Sequence, residues 1–551
     1  MAKYIVVGGV AGGATAAARL RRLDEAAEII LVERGGDISF ANCGLPYYVG
    51  GVIPRQEDLL VMTPAKFRGL FNVDVRVQSE VVKVDTAARQ VTIRHGEEEY
   101  PESYDALLLS PGAQPLRPPI PGIDHERIVT LRNVPDAAVL KKLVGDYPQG
   151  RAVVVGGGFI GVEAAENLQA QGLSVTLVEA APHILAPFDT DMSALAEAEL
   201  RQNGVKLLLE QGVQEFLHHE DGTIGVKIPQ EVLTADFVVL AIGVRPDTAF
   251  LQDSGIELGE RGHILVDEYM QTSAPAVFAV GDAVMTFDGL TGKKAALPLA
   301  GPANRQGRLA ADNIAGKKRK YAGVVGSSVL KVFSLTAAAT GKNERALQQA
   351  GLVYGKDYRY TITYPNDHAS YYPQAEPFAL KVLFSLQDGK VLGAQAIGKK
   401  GVDKRIDVLA AVLRLGGTVY DLEDLELAYA PPFSSAKDPV NMAGYYGDNI
   451  LQGLTNPLLP GELAAEQERG ALIIDVRPPE MFAAGHVEGA INIPAAKMRE
   501  QLDKLDKKRP LVVICKIGMN GYFMERMLKQ SGFEVRNMMG GFTYLQGTLP
   551  K

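Results

Sequence analysis

At 551 residues the chain is too long for one hydrophobic core, so three or four domains are expected. A net charge of -8 argues against a nucleic-acid partner, because phosphate binding calls for a basic face, and the Lys317–Lys320 run reads as a solvated turn. The two cysteines make no disulfide framework, the N-terminus carries no leader pattern and no apolar run is long enough to span a membrane, so a soluble cytoplasmic protein is expected.

Tyr4 to Val7 reads as a strand, Gly8-Gly9-Val10-Ala11-Gly12-Gly13 as a tight turn, and Ala14 to about Leu23 as a helix. A second strand, Glu28 to Val32, ends in Glu33. This is the pattern of a dinucleotide-binding unit: glycines let the backbone approach a pyrophosphate at a helix N-terminus, and the terminal acid takes ribose hydroxyls. Val10 stands at the middle glycine position, which weakens this first copy. The stretch Ser39 to Tyr47 follows and holds Cys43. Polar, flexible flanks, a turn at Pro46 and the electropositive Arg19–Arg22 segment upstream predict a reachable thiol of lowered pKa rather than an apolar filler. Arg19 and Arg22, three apart on one helix face, suit phosphate oxygens.

The unit then recurs. Ala152 to Val155 is a strand, and Gly156-Gly157-Gly158-Phe159-Ile160-Gly161 fits G-x-G-x-x-G in full. A helix follows from Val162 to about Gln171, then a strand from Ser174 to Val178 that ends in Glu179. Two units predict two bound dinucleotides, and an acid at Glu179 with no arginine after it favours NADH over NADPH. Leu107–Gly112 and Val238–Gly243 read as strands entering small-residue turns, and Thr272–Ala283 as a strand ending in Gly281-Asp282 at a helix start.

From Tyr321 the pattern changes to strands at Val329–Phe333, Tyr358–Tyr364, Ala379–Phe384 and Val391–Ile397 with helices between, an α+β domain. Asn456 to Pro460, with two prolines, reads as a linker. Beyond it, Pro510–Ile514 is a buried strand ending in Cys515 at a helix start. Successive N–H groups of the loop from Cys515 to Gly521 form an anion-binding nest suited to a thiolate or persulfide. The eight histidines show no ligand spacing, and no metal is expected.

These residues resemble the two-dinucleotide flavoprotein disulfide reductases. The resemblance implies an α/β chain with a discontinuous FAD-binding domain (1–115 and 246–320), an NAD(P)H-binding domain (116–245), an α+β dimerisation domain (321–447), a linker (448–460) and a last domain over 461–551. It implies FAD held by Gly8, Gly9, Gly12, Gly13, Glu33, Arg34, Ser110, Gly112, Gly281 and Asp282. NADH, with NADPH as the alternative, would be held by Gly156, Gly158, Phe159, Ile160, Gly161 and Glu179. The last domain, with Asp475-Val476-Arg477, Gly485–Pro494 and Cys515–Gly518, resembles a single α/β rhodanese domain, although Asn520 stands where many rhodaneses have arginine.

Glutathione- and lipoamide-type relatives carry a second redox cysteine where this chain has Tyr48, so oxidised Cys43 must pair outside the chain or become a sulfenic acid. Ser39–Tyr47 is similar to the CoA-disulfide reductases. That likeness implies coenzyme A bound by Thr15, Arg19, Arg22, Ser39, Asn42 and Lys437, although Phe71 stands where the family carries a lysine. It also implies a homodimer with shared active sites, Tyr371 and Tyr429 of the partner subunit lying near the cysteine. The fusion as a whole resembles the CoADR–rhodanese proteins that reduce persulfides or polysulfides with NADH. Cys43 would reduce the sulfane sulfur of a small-molecule substrate to hydrosulfide and thiol, and Cys515 would deliver that sulfur. The alternatives are a CoA-disulfide reductase with an accessory rhodanese domain, an NADH oxidase or peroxidase acting through a Cys43 sulfenic acid, and a sulfur carrier whose reductase half only reloads it.

Overall fold

A computed structural model describes residues 1–548, so the expected end of the last domain at 551 lies outside the described residues. The chain divides into two units, residues 1–184 with 200–325, and residues 185–199 with 326 onward.

The first unit holds two parallel sheets of the same design. One runs Val277–Ala279, Ala106–Leu109, Lys3–Val7, Glu28–Val32, Asp74–Arg76. The other runs Lys206–Leu208, Ser174–Val178, Arg151–Val155, Phe237–Leu240, Ile128–Val129. Their central strands are near-continuous Val, Ile and Leu because both faces are covered. The first glycine turn passes directly into a helix, Ala11–Leu23, which starts earlier than the sequence pattern suggests. Gly13 within it has no room for a side chain, because a Cβ there would fall 1.8 Å from the Gly8 carbonyl oxygen. The helix packs its small-residue face on the helix Ala300–Ile314, and a Cβ on Gly307 there would meet the Gly12 carbonyl at 2.2 Å.

In the second unit a five-stranded antiparallel sheet runs Ser328–Val332, Leu335–Gly341, Val391–Gly398, Phe378–Ser385, Tyr358–Thr363. Leu335–Gly341 is absent from the sequence reading. Its run of alanines has little intrinsic preference for a strand, but Ala337, Ala338 and Ala339 are buried where the helix Val402–Arg414 crosses. A four-stranded parallel sheet follows, Ile491–Asn492, Leu472–Asp475, Leu511–Ile514, Val535–Asn537. The stretch 448–460 is bonded rather than free. The helix Pro439–Leu451 enters it, and Leu458 donates to the Asn537 carbonyl and accepts from the Met539 N–H. The helix Met519–Gln530, which follows Cys515, is pinned alongside. Tyr522 donates to Asn449, Arg526 to the Leu454 carbonyl, and buried Glu525 accepts from Thr455. Among the described residues no helix is long and apolar enough to cross a membrane.

One buried charge ties the second unit together. Lys381 is fully buried, and its amine meets Asp189 at 3.0 Å, Asp191 at 2.9 Å and Glu344 at 2.6 Å. Burial works against its charge, but the three acids outweigh it and hold the ammonium protonated. Tyr544, from the last helix, donates to the same Asp191. The acids are spaced closely enough to ligate a metal, and Lys381 already answers them. Replacing it, Lys381→Met, is expected to cost about 3–5 kcal/mol by leaving buried carboxylates unpaired. The check is the denaturation midpoint at neutral pH, with the gap from wild type closing as acid protonates the carboxyls. Equal midpoints at neutral pH would remove the cluster from the account.

Candidate active site

Each dinucleotide unit of the first unit is built on one device. Glu33 accepts from the Gly9 and Gly35 N–H groups at 2.8 and 2.7 Å, and Glu179 from those of Gly157 and Ala181 at 2.5 and 2.7 Å. A carboxylate so fixed keeps oxygen lone pairs for ribose hydroxyls. Gly8 and Gly156 have positive φ, and a Cβ would strike the Ser110 oxygen at 2.0 Å and the Ala241 oxygen at 2.4 Å. Around the first turn, Gly112 faces Arg132, and the Gly281 N–H is held by Gln306. Asp282 follows, its carboxyl pushed up by burial with Arg132 the cation facing it. Around the second turn, a Cβ on Gly158 would meet nothing within 4 Å, and Ile160 is exposed at the helix start beside Phe159. Both cradles have the backbone closeness and free edge that a pyrophosphate needs.

Cys43 is exposed, in a short turn Asn42–Gly44 leading into a helix, Leu45–Val49. The stretch is fastened to the first glycine turn, because the Ser39 N–H donates to the Gly9 carbonyl with Ser39 at φ +49°. The expected electropositive setting is not there. Burial, then Glu163 and Asp282, push the thiol above its ordinary value. Two of the upstream cations are committed elsewhere. Arg19 puts two donors on Asp312 at 2.7 and 2.9 Å, and buried Arg21 binds the carbonyls of Asp24, Glu25, Phe71 and Asn72. Arg34 is also occupied, by Asp247 and Glu80.

Thr15 and Arg22 lie on the exposed side of the Ala11–Leu23 helix, where Thr15 donates to Asn304 at 2.6 Å. Burial and the neighbouring Arg19 and Arg308 lower the Arg22 guanidinium from its ordinary value, which marks a crowd of positive charge. Asn304 and Arg308 come from the Ala300–Ile314 helix and were missed in the sequence, where nothing links that helix to the first one. Asn42, with its carboxamide oxygen turned to Arg132, accepts from it at 2.7 Å.

The second unit brings Tyr371 and Tyr429 together, their hydroxyls 2.7 Å apart and both side chains exposed. Tyr429 also lines an apolar concavity of about 400 Å³ with Lys404, Ala428, Ala430 and Phe433. Lys437 is exposed, one residue before Asp438, which forms a buried pair with Arg405 at 3.0 Å. Cys515 closes the strand Leu511–Ile514, and its sulfur accepts from the Gly518 N–H at 3.1 Å. Phe542 and Thr543 donate to the Cys515 and Lys516 carbonyls, and Arg477, paired with Asp475 at 2.6 Å, lies over the Phe542 ring at 3.8 Å. The loop is thus braced from outside, with the Gly518 N–H turned to the sulfur. Lys516 and Asn520 are exposed.

Comparison with known proteins assigns residues 2–307 to the pyridine nucleotide-disulphide oxidoreductase model, 327–439 to that family's dimerisation domain and 459–547 to a rhodanese-like domain. A coenzyme A disulfide reductase of Staphylococcus haemolyticus is 35% identical over 450 residues, 81% of this chain and 99% of that protein. The reduced CoADR-RHD of Bacillus anthracis is similar over 100% of this chain and 98% of its own, with 45% identity and a TM-score of 0.96. An NAD-dependent persulfide reductase from A. fulgidus is similar over 98% of this chain and 99% of its own, with 36% identity and a TM-score of 0.92.

Proposed function

The chain belongs to the pyridine nucleotide-disulphide oxidoreductase family as an NAD(P)H-dependent flavoprotein, and from that premise we propose that it uses NADH to reduce the sulfane sulfur of CoA persulfide or polysulfides to hydrosulfide and thiol. One observation carries the reading. Cys43 is exposed beside the first glycine turn, and the only other cysteine, Cys515, is buried in its own nest. A disulfide at Cys43 therefore forms with a thiol from outside the chain.

FAD, held through Gly8, Gly9, Gly12, Gly13, Glu33, Ser110, Gly112, Gly281 and Asp282, supplies a two-electron link between nicotinamide and sulfur. Gly156, Gly158, Phe159, Ile160, Gly161 and Glu179 hold NADH, and the acid repels a 2′-phosphate. Cys43 thiolate attacks the thiol-bearing sulfur of the persulfide. One S–S bond breaks as another forms, hydrosulfide leaves, and the substrate's thiol remains on Cys43 as a mixed disulfide. Two electrons originating in NADH return Cys43 and the thiol. Burial and the acids facing Cys43 disfavour a bare thiolate, so a neutral sulfur, thiol or mixed disulfide, is favoured there. Arg22, Thr15 and Ser39 line the approach for the phosphates of CoA, with Asn304 and Arg308 added from the second helix. In a homodimer Tyr371 and Tyr429 of one protomer serve the cysteine of its partner, their mutual hydrogen bond leaving one phenol proton free for the departing thiolate. Cys515, in its nest, takes up sulfane sulfur and passes it on.

The fused module supports sulfane sulfur as the substrate. The similarity to the Staphylococcus protein covers 81% of the chain, whereas that to the persulfide reductase covers 98% and so includes the Cys515 module. The test is NADH consumption with CoA persulfide, inorganic polysulfide, CoA disulfide, oxygen and peroxide in turn. Persulfide or polysulfide is expected to turn over fastest. A clear preference for CoA disulfide would favour the reductase with an accessory domain, and a preference for oxygen or peroxide would favour chemistry through a sulfenic acid. Cys515→Ser is expected to leave turnover of supplied CoA persulfide intact and to lower, by about tenfold or more, turnover that begins from a sulfur donor needing transfer. Unchanged rates with every donor would remove Cys515 from the pathway.

A further inference from the structure

The side of the Cys43 site facing the second dinucleotide unit carries two groups that the scheme above does not use. Tyr47 lies one helical turn beyond Cys43, so both project from the same side of the turn Asn42–Gly44 and the helix Leu45–Val49. Its hydroxyl donates to a carboxylate oxygen of Glu163 at 3.1 Å. Glu163 stands two residues past the last glycine of the second turn, in the helix Phe159–Ala170. The groups facing the carboxylate are Tyr47 and Glu166, and among the described residues no cation pairs with it. Burial, with Glu166 adding to it, pushes Glu163 up to about 7 even though the Tyr47 bond pulls it down. From the other side Cys43 faces Asp282, which itself faces Arg132. Of the two carboxylates facing the thiol, Glu163 is the one bonded to a group from the helix into which the thiol's turn leads.

We propose that Glu163, acting through Tyr47, is a positioning residue that stores the proton linked to reduction of Cys43. The proposal rests on Cys43 being the redox thiol of the reading above. The overall reaction consumes one proton with each NADH: a persulfide plus NADH plus H⁺ gives a thiol, hydrogen sulfide and NAD⁺. With Cys43 in a mixed disulfide the sulfur is neutral and Glu163 ionises readily. When the S–S bond is cleaved and Cys43 becomes a thiolate, two anions face each other and Glu163 takes a proton from solvent. The thiolate and Glu163 then titrate as a pair sharing one proton. Tyr47 supplies the hydrogen bond that fixes the carboxylate and keeps its proton affinity from rising further.

The test is the pH profile of Cys43 alkylation by iodoacetamide in the NADH-reduced holoenzyme, carried in a Cys515→Ser background so that one thiol reports. Wild type is expected to show a two-step profile with its first step near neutral pH. Glu163→Gln removes the neighbouring charge, so the first step disappears and the main midpoint falls by about one pH unit, a tenfold gain in thiolate below it. Tyr47→Phe removes the bond that lowers the Glu163 proton affinity, so the first step moves up in pH instead. A merely structural pair would change the amplitude or stability of both variants without moving either midpoint. Profiles that superimpose on wild type, or two variants shifting the same way, would overturn the proposal. A thiol unreactive at every pH in wild type as well would instead strike the reading of Cys43 beneath it.

Discussion

Replacing one atom, in Cys43→Ser, is expected to lower turnover of every sulfur substrate by about 10³-fold or more while NADH still bleaches the flavin. A hydroxyl in place of the thiol cannot form the mixed disulfide, and the one other cysteine, Cys515, is buried with its sulfur accepting from the Gly518 N–H. Reduction of a dye that accepts electrons directly from the flavin should persist, which separates loss of the sulfur step from loss of folding. Residual sulfur reduction within tenfold of wild type would mean that substrate takes electrons without passing through Cys43.

The second large effect is expected from two matched glycines. A Cβ on Gly13 would sit 1.8 Å from the Gly8 carbonyl oxygen, and one on Gly161 would sit 1.9 Å from the Gly156 carbonyl oxygen. In each case the obstacle is backbone, so alanine forces the turn open instead of pushing a side chain aside, and the N–H groups lose their common focus. Gly13→Ala should weaken FAD binding by at least about 100-fold, some 2.7 kcal/mol, and yield colourless protein. Gly161→Ala should purify yellow, with FAD bound, but need at least about 100-fold more NADH for half-maximal flavin reduction. If both variants lost flavin equally, the assignment of one dinucleotide to each cradle would be wrong.

The two cradles were legible in the sequence because their demands are local: the glycines, the strands and the terminal acids Glu33 and Glu179 lie within a short span of chain. The place of Cys515 between a buried strand and a helix was legible for the same reason. The electrostatics of Cys43 were not. Its neighbours Glu163 and Asp282 arrive from the second glycine unit and from the late Gly-Asp, so a reading limited to nearby residues saw Arg19 to Arg22 and assigned the wrong sign. Asp312, which occupies Arg19, and Arg308, which crowds Arg22, sit on a helix whose approach depends on Gly12 and Gly307 packing closely. The strand Leu335–Gly341 was hidden by its alanines, which suit a crowded sheet face but carry no strand signature of their own. Tyr371 and Tyr429 could be singled out by resemblance, but their mutual hydrogen bond belongs to the fold.

The central claim is that one thiol, Cys43, passes electrons from NADH to substrate sulfur with no partner inside the chain. Its most direct measurement is peptide mass spectrometry of holoenzyme mixed anaerobically with CoA persulfide, quenched in acid before and after one equivalent of NADH. The account predicts a thiol adduct on the Cys43 peptide before NADH and a free Cys43 thiol after it, released by that single equivalent. An unmodified Cys43 throughout, or an adduct that NADH leaves in place, would contradict it.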